Sequence, residues 1–545
     1  MKLATFLHDL HFATEKVRPP DLEVNWDDAP LPYKLYKGLP AVTLPGEVAL
    51  SLIGEQITEE PSLVQLGSML YYAYGLTKVS QMTFGQGAPE EESFFVQSYR
   101  RAIPSGGALY PNEVYLYLKL SYLRQGIYHY DVAHHRLVLL REGDFADYVT
   151  SSLGQRFALR DCFGVVFVST YFWKNAFKYD LFSYRLQGLD TGVLLGQWLA
   201  LADKYGIQAS VHYLFLDRAV NGLLGLDGNE ESVYAILPLG LALNPQQTGE
   251  TTADSALTLT ESSADAQESV SAEQLVQSLQ PLSHRHQIGS NARKDYPLLR
   301  QMHQAALYES TDCFVRETVS ERPFGAEKDG GKLRGKPGET EAAKDRLPAL
   351  DFAEFCRSRI SPELDFVAGK LTREELETLV RRAYTALHYQ HDLGHENNGC
   401  LAYCVCLHQV DEMEDGAYFC DPASGLLTQR RHGDQRAELQ AGMTLDNVSL
   451  YQVPLCFHIA GESSHLLERW GYRGYRIQQM QAGIALHALL LAAFSCGLGG
   501  HPLLGYDVAS SDEIYGLPQE SKTCLIQVPV GFYRQRARLQ GSLHG

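Results

Sequence analysis

YRLQGLDTGVLLGQWLALADKYG, residues 184–206, and YRIQQMQAGIALHALLLAAFSCG, residues 475–497, are two versions of one stretch. Each opens on Tyr-Arg, carries Gly eight residues later (Gly192, Gly483) and another Gly at twenty-two (Gly206, Gly497), so the offset is a constant 291. The offset runs without a gap to LPLGL at 237–241 and VPVGF at 528–532, and GIYHYD from Gly126 matches GAYFCD from Gly416 at an offset of 290. Farther upstream, SMLYYAY near residue 70 resembles TLVRRAY near residue 380. Two copies of one fold are joined in tandem.

The apolar spacing of Leu194, Leu195, Trp198, Leu199 and Leu201 predicts a long amphipathic helix. VYLYLKL (114–120) and FGVVFVS (163–169) predict strands. Each copy reads helix, loop, strand, a second strand near the G-x-Y-x-x-D turn, a buried strand, the long helix and a terminal strand, which is an α+β pattern. Similar surfaces on the two halves are expected to pack as an internal pseudo-dimer, the covalent version of an isologous homodimer. The expected domains are 1–243 and 296–545, joined by a flexible linker at 244–295. The Thr/Ser/Ala/Asp/Glu-rich run 244–273 supports that linker, and AEKDGGKLRGKPGETEAAKDR (326–346) reads as a disordered insert at about 324–347.

The 545 residues are 45% apolar and 10% aromatic, enough for large cores, and length alone suggests two to four domains. The first twenty residues lack the apolar core of a signal peptide, and no later run is read as reaching the roughly 18 apolar residues a membrane span needs. The expectation is a cytoplasmic protein with no membrane partner. Nine of the ten cysteines follow residue 300 and are read as reduced core thiols. A formal charge of −18 argues against a nucleic-acid footprint, with YRQRAR (533–538) the clearest local basic site.

Five ordered blocks of the N-terminal half carry a resemblance: HFATEKVRPP (11–20), NWDDAPLPYKLYKGLP (25–40), YYAYGLTK (71–78), RRAIPSGGALYPNEVY (100–115) and FWKNAFKYDLFSYRLQGLDTG (172–192). This half resembles the SagB-type dehydrogenases of the nitroreductase superfamily. The C-terminal half is similar to a more ordinary nitroreductase chain, through CRSRISPELDF (356–366), YRGYR (472–476), GLGGHPLLGYD (497–507) and VPVGFYRQR (528–536). The resemblance implies an FMN enzyme with flavin between two nitroreductase-like domains. The usual SagB-type substrate is a thiazoline or oxazoline made in a peptide from Cys, Ser or Thr, and the product is the aromatic azole.

The resemblance also assigns flavin contacts. One half would supply phosphate ligands from Arg357, Ser358 and Arg359 and from Arg534 and Arg536, whose counterparts in the N-terminal half are Leu243 and Pro245. Guanidinium forks suit a dianionic phosphate. The same half would aim backbone N–H groups of Pro502, Leu503, Leu504 and Gly505 at the flavin N5 and O4 edge, where the N-terminal half has Val211 to Leu214 and no glycine. The opposite half would lay Pro104, Ser105, Gly106 and Gly107 against the ring and ribityl chain, where the C-terminal half has approximately GHEN (394–397). Glycine permits the close approach, and a serine hydroxyl reaches a flavin oxygen. One complete composite site, and hence one FMN per chain, is the expectation.

Azoline oxidation removes a proton from the former Cα and a hydride from the adjacent CH2. The resemblance places the base at Lys178 with Tyr179 beside it, the lysine desolvated against Trp173, Phe177 and the flavin. Tyr184 and Arg185 recur as Tyr475 and Arg476, so a structural role at the interface is at least as well supported as catalysis. No G-x-G-x-x-G follows a strand, which favours reoxidation by O2 over a nicotinamide domain. Cys400, Cys404, Cys406 and His408 alternate as a buried strand would, and His391, His395 and Glu396 sit where the second loop has degenerated, so no metal is expected. The leading reading is an azoline dehydrogenase acting on a modified peptide or a carrier-bound substrate beside a cyclodehydratase or synthetase. An FMN oxidoreductase on another small intermediate and a flavin-free scaffold are the rivals.

Overall fold

The computed structural model describes residues 2–84, 94–241, 269–314, 350–394, 401–535 and 539–542. Runs of Val, Tyr, Leu and Phe form strands Asn112–Leu118 (β1), Gly126–Asp131 (β2), Arg136–Glu142 (β3), Cys162–Tyr171 (β4), Ile207–Val211 (β5) and Glu231–Leu241 (β6). They pair antiparallel in the order β3-β2-β1-β4-β6-β5. In the second half Ala402–Leu407 (β7), Gly416–Cys420 (β8), Leu427–His432 (β9), Leu455–Glu462 (β10), Gly499–Gly500 (β11) and Lys522–Gly531 (β12) pair as β9-β8-β7-β10-β12-β11. The two orders are the same, strand for strand.

Between the sheets lie the two long helices, Ser183–Tyr205 (α1) and Tyr472–Ser495 (α2), buried along most of their length. Their crossing is reciprocal. A Cβ on Gly192 would sit 2.0 Å from the Met480 carbonyl oxygen, and one on Gly483 would sit 2.2 Å from the Leu189 carbonyl oxygen. Only glycine lets the two backbones come this close. Tyr184 stacks on Tyr475 at 5.7 Å, and Arg473 and Arg476 of α2 both bond the buried Asp217 of the first half. By length and composition α2 is apolar enough to cross a membrane, against the expectation that no run would be; a window average tolerates the glutamines that interrupt its apolar residues. Within the fold 94% of that window is buried.

Each half also reaches into the other's sheets. Gln390–His391 pairs parallel with β5, and Leu539–Ser542 joins the hairpin Leu76–Phe84/Phe94–Arg101. The linker expectation is corrected for residues 269–295. They include a helix, Ala272–Gln277, and a strand, His286–Gln287, that pairs with Leu35–Tyr36, because the segment carries Ser271–Gln274 capping and apolar anchors the compositional reading passed over. Farther along, Asp28 accepts from the Asn291 and Ala292 N–H groups. The strap continues as helix Pro297–Ala305 to Tyr308, whose N–H donates to Asp217 and whose hydroxyl donates to the Trp470 carbonyl. Residues 242–268, the proposed insert at 324–347 and Cys400 lie outside the described residues. Cys404 and Cys406 are buried in β7.

Candidate active site

The chain turns sharply before β1. Gly107, Ala108 and Tyr110 have left-handed backbone, at φ +62°, +56° and +50°, which a non-glycine residue holds only where its surroundings fix it. Here Asp190 of α1 fixes it: the carboxylate accepts from Ser105 Oγ at 2.8 Å and from the Gly106 N–H at 3.2 Å. Ser105 Oγ in turn accepts from the Tyr110 N–H at 2.9 Å. The serine hydroxyl that the resemblance aims at a flavin oxygen is therefore committed within the chain. A Cβ on Gly107 would lie 2.6 Å from the Tyr179 hydroxyl and 2.9 Å from Lys178 Nζ. The glycine loop is thus packed directly on the Lys178–Tyr179 pair.

That pair ends the short helix Trp173–Tyr179, which stops at Asp180, with φ +50°. Burial, with the positive charges of Arg18 and Arg100, lowers the Lys178 pKa, and burial pushes the Tyr179 phenol up to about 12. An amine whose cation is destabilised in this way is suited to taking up a proton. The ring beside it differs from expectation. Trp26 lies 5.2 Å from Lys178 Nζ, whereas the Trp173 indole donates to Ser290 of the strap and Phe177 packs edge-on behind Trp26. The strap, unforeseen from composition, is what draws Trp173 away.

Lys178, Tyr179 and the whole Pro104–Gly107 loop line a cavity of about 520 Å³, within the range of small-molecule and cofactor sites. Its opposite wall comes from the C-terminal half and includes Arg359, Thr444, His501 and the Pro502–Gly505 turn. Leu503 is bridged to Gln527 of β12 by two backbone hydrogen bonds, of 2.7 and 3.1 Å. Among the described residues the next two N–H groups, of Leu504 and Gly505, have no acceptor, and both residues face the cavity.

Lys78, Arg100 and Arg359 line the same cavity, as do Arg18 and Arg101. Lys78 and Arg100 stand directly opposite each other in the hairpin, an arrangement in which like charges repel. Arg359 approaches from the other half, its carbonyl accepting from Lys78 Nζ at 3.4 Å and its Nε donating to the Ala102 carbonyl at 2.6 Å. Burial and the Arg359 charge hold Lys78 down to about 8. Among the described residues none of the three makes an ion pair, so an anion bridging them would relieve the repulsion. Arg357, Ser358 and Arg534 of the expected phosphate set do not line this cavity. Arg357 donates to the Tyr72 hydroxyl at 3.3 Å, Ser358 to the Glu354 carbonyl within its own helix, and Arg534 is exposed beside Asp365. Arg536 lies outside the described residues. Sequence reasoning passed over Lys78, Arg100, Trp26 and Asp190. Only Asp190 left a signal, as a carboxylate within the apolar helix stretch, at the position where the second copy has Gln481.

The position related to this cavity by the internal repeat is built differently. His212 and Ile236 form the same double backbone bridge as Leu503 and Gln527, 291 residues earlier. Yet the N–H groups of Tyr213 and Leu214, counterparts of Leu504 and Gly505, both donate to the Asp392 carboxylate, at 2.9 and 3.0 Å. Arg156 closes the cluster at 3.1 Å from the same carboxylate. Gly394 begins the counterpart of the glycine loop; residues 395–397 lie outside the described residues. Lys178 and Tyr179 correspond to Arg469 and Trp470, and Trp470 is buried under the strap.

Residues 415–532 match the model of the Nitroreductase family. The trifolitoxin-processing protein TfxB of Rhizobium leguminosarum bv. trifolii is 30% identical over an alignment of 151 residues that covers 25% of this chain and 38% of TfxB, so the chain spans well under half the length of that relative. A crystal structure of a candidate nitroreductase from Anabaena variabilis ATCC 29413 superposes with a TM-score of 0.69 at 22% identity, covering 98% of this chain and 99% of that one. A chain of the E. coli microcin synthetase McbBCD complex gives a weak likeness, with a TM-score of 0.27 at 20% identity over 38% of this chain and 70% of that one. Residues 415–532 therefore form a nitroreductase-family domain, set in a two-copy fold shared over nearly the whole length with the Anabaena protein.

Proposed function

We propose that the chain is an FMN-dependent oxidoreductase with a single cofactor site between two halves that form an internal pseudo-dimer, and that it oxidises a thiazoline or oxazoline to the azole in a peptide or carrier-bound intermediate. The observation that carries the proposal is the juxtaposition, in one cavity, of a buried Lys-Tyr pair with two backbone N–H groups that have no acceptor among the described residues. The residues present fit FMN. Lys78, Arg100 and Arg359 suit its phosphate, the Leu504 and Gly505 N–H groups suit the N5 and O4 edge of its ring, and Pro104 to Gly107 offer the backbone face that lies along it.

When bound, FMN would supply a hydride acceptor that O2 restores. The chain supplies the rest. Lys178, poised by burial and by Arg18 and Arg100, takes the proton from the ring carbon that was the residue's Cα. Tyr179, a neutral phenol, holds the amine's orientation. Gly107 keeps both against the cavity wall. The substrate loses one proton and one hydride, a change of two mass units. Similarity to a trifolitoxin-processing protein supports a peptide substrate and a peptide-modifying partner such as a cyclodehydratase. Cytoplasmic location goes with such a role.

The test is direct. Purified full-length protein should be yellow with the absorption spectrum of FMN, and it should remove 2 Da from an azoline-bearing peptide in air without NAD(P)H. A colourless protein would favour a scaffold. A flavoprotein that needs another small substrate would favour the broader oxidoreductase reading.

A further inference from the structure

We propose that Asp190 is the positioning residue of this cavity: its carboxylate ties down the Ser105–Gly106 backbone so that Gly107 seats Lys178 and Tyr179, and its ionisation state sets how firmly that loop is held. The kinetic consequence rests on the reaction proposed above; the effect on the loop does not.

The geometry converges on one group. Asp190 lines the cavity from α1 and is only 7% exposed. Both of its hydrogen bonds come from the glycine loop, and among the described residues it has no cationic ion-pair partner. The loop it holds contains three left-handed residues, a backbone that relaxes when its restraints go. Beyond that loop stand Lys178 and Tyr179, close enough that any Cβ on Gly107 would strike them. The second copy has the neutral Gln481 at this position and lacks the glycine pair, so the carboxylate and the loop it restrains occur together.

Ionisation matters because the two states bond differently. A carboxylate accepts both the Ser105 hydroxyl and the Gly106 N–H, whereas the protonated acid has a hydrogen of its own to place and one oxygen less able to accept. Burial raises the Asp190 pKa to about 7, with the two loop hydrogen bonds opposing it. Its charge is felt by Tyr74 of helix Leu63–Tyr74 and by Tyr179, and the cavity it lines also holds Tyr110, Lys178 and the cations Arg18, Lys78, Arg100, Arg101 and Arg359. The loop is therefore held best above neutral pH.

Hydrogen exchange by mass spectrometry on the full-length protein, corrected for intrinsic rates, reads the loop without reference to activity. Peptides spanning residues 104–110 should be protected about tenfold more at pH 8 than at pH 6, the worth of roughly one hydrogen bond to a charged group. Asp190→Asn should abolish that difference. It should also lower kcat about tenfold on an azoline peptide with KM within twofold, and should remove the limb of the pH–rate profile near 7. Should Asp190→Asn fail to fold, Ser105→Ala removes one bond that favours the carboxylate and should move the limb to higher pH. Unchanged protection in Asp190→Asn, or an unmoved limb in Ser105→Ala, would overturn the assignment. Wild-type protein with pH-linked protection and no azoline turnover would count against the reaction and for Asp190.

Discussion

The Pro502–Gly505 turn and the Val211–Leu214 turn hang from the same double bridge to a central strand, yet they end in opposite chemistry. In the first, two residues that line the cavity, Leu504 and Gly505, have N–H groups with no acceptor among the described residues. The second spends the equivalent pair on Asp392, a carboxylate just after the strand Gln390–His391 that crosses from the other half. The framework, strand order and helix crossing included, is common to both copies, while the two positions differ in a few local residues. A self-supplied carboxylate on those donors occupies the place an anionic cofactor edge would need. This physical contrast, more than the absence of a glycine, argues for one cofactor per chain.

The comparison can be broken most forcefully at the Lys178–Tyr179 pair. Lys178→Ala should keep FMN and lose about 10²- to 10⁴-fold in azoline turnover, measured by mass loss at saturating substrate; wild-type turnover would remove the base from the account. On the other side, Asp392→Ala should lower unfolding stability by about 3 kcal/mol in urea titration, because two buried N–H groups and Arg156 lose their acceptor. Its flavin content should not change, since the second copy still has Arg469 and Trp470 in place of Lys178 and Tyr179.

Smaller effects sharpen the anion site. Lys78→Gln and Arg100→Gln should each weaken FMN about tenfold while leaving riboflavin nearly unaffected, as fluorescence titration would show. Equal losses for both flavins would move the phosphate elsewhere. The pH dependence follows from Lys78. Its pKa of about 8 in the folded protein lies below the ordinary lysine value, so the neutral amine is favoured above pH 8. A bound phosphate favours the ammonium, so binding takes up a proton there and FMN affinity should fall as pH rises above 8. Lys78→Gln should flatten that fall.

Much of the architecture was legible because repetition is a property of the chain. The 291-residue offset that aligns Tyr184 with Tyr475 also aligns Gly192 with Gly483, and these residues meet across the helix crossing. Of the candidate site, the glycine loop, the Lys-Tyr pair and the Pro502–Gly505 turn line one cavity. The cluster of Lys78, Arg100 and Arg359 was not legible in the same way. Lys78 and Arg100 are far from Arg359 in sequence and become neighbours only when a hairpin of one half folds against the other. Asp392 gave no warning either, since two of its partners are backbone N–H groups and the third, Arg156, lies 236 residues away. The strap was misread because a polar, Ser-rich stretch and a structured one bound by Asp28 and Asp217 look alike in one dimension.

Flavin stoichiometry tests the central claim most directly. Full-length protein reconstituted with excess FMN, desalted, and assayed by flavin absorbance against quantitative amino-acid analysis should hold one FMN per polypeptide. Two per polypeptide would contradict the plugged second site, and none would contradict the cofactor itself.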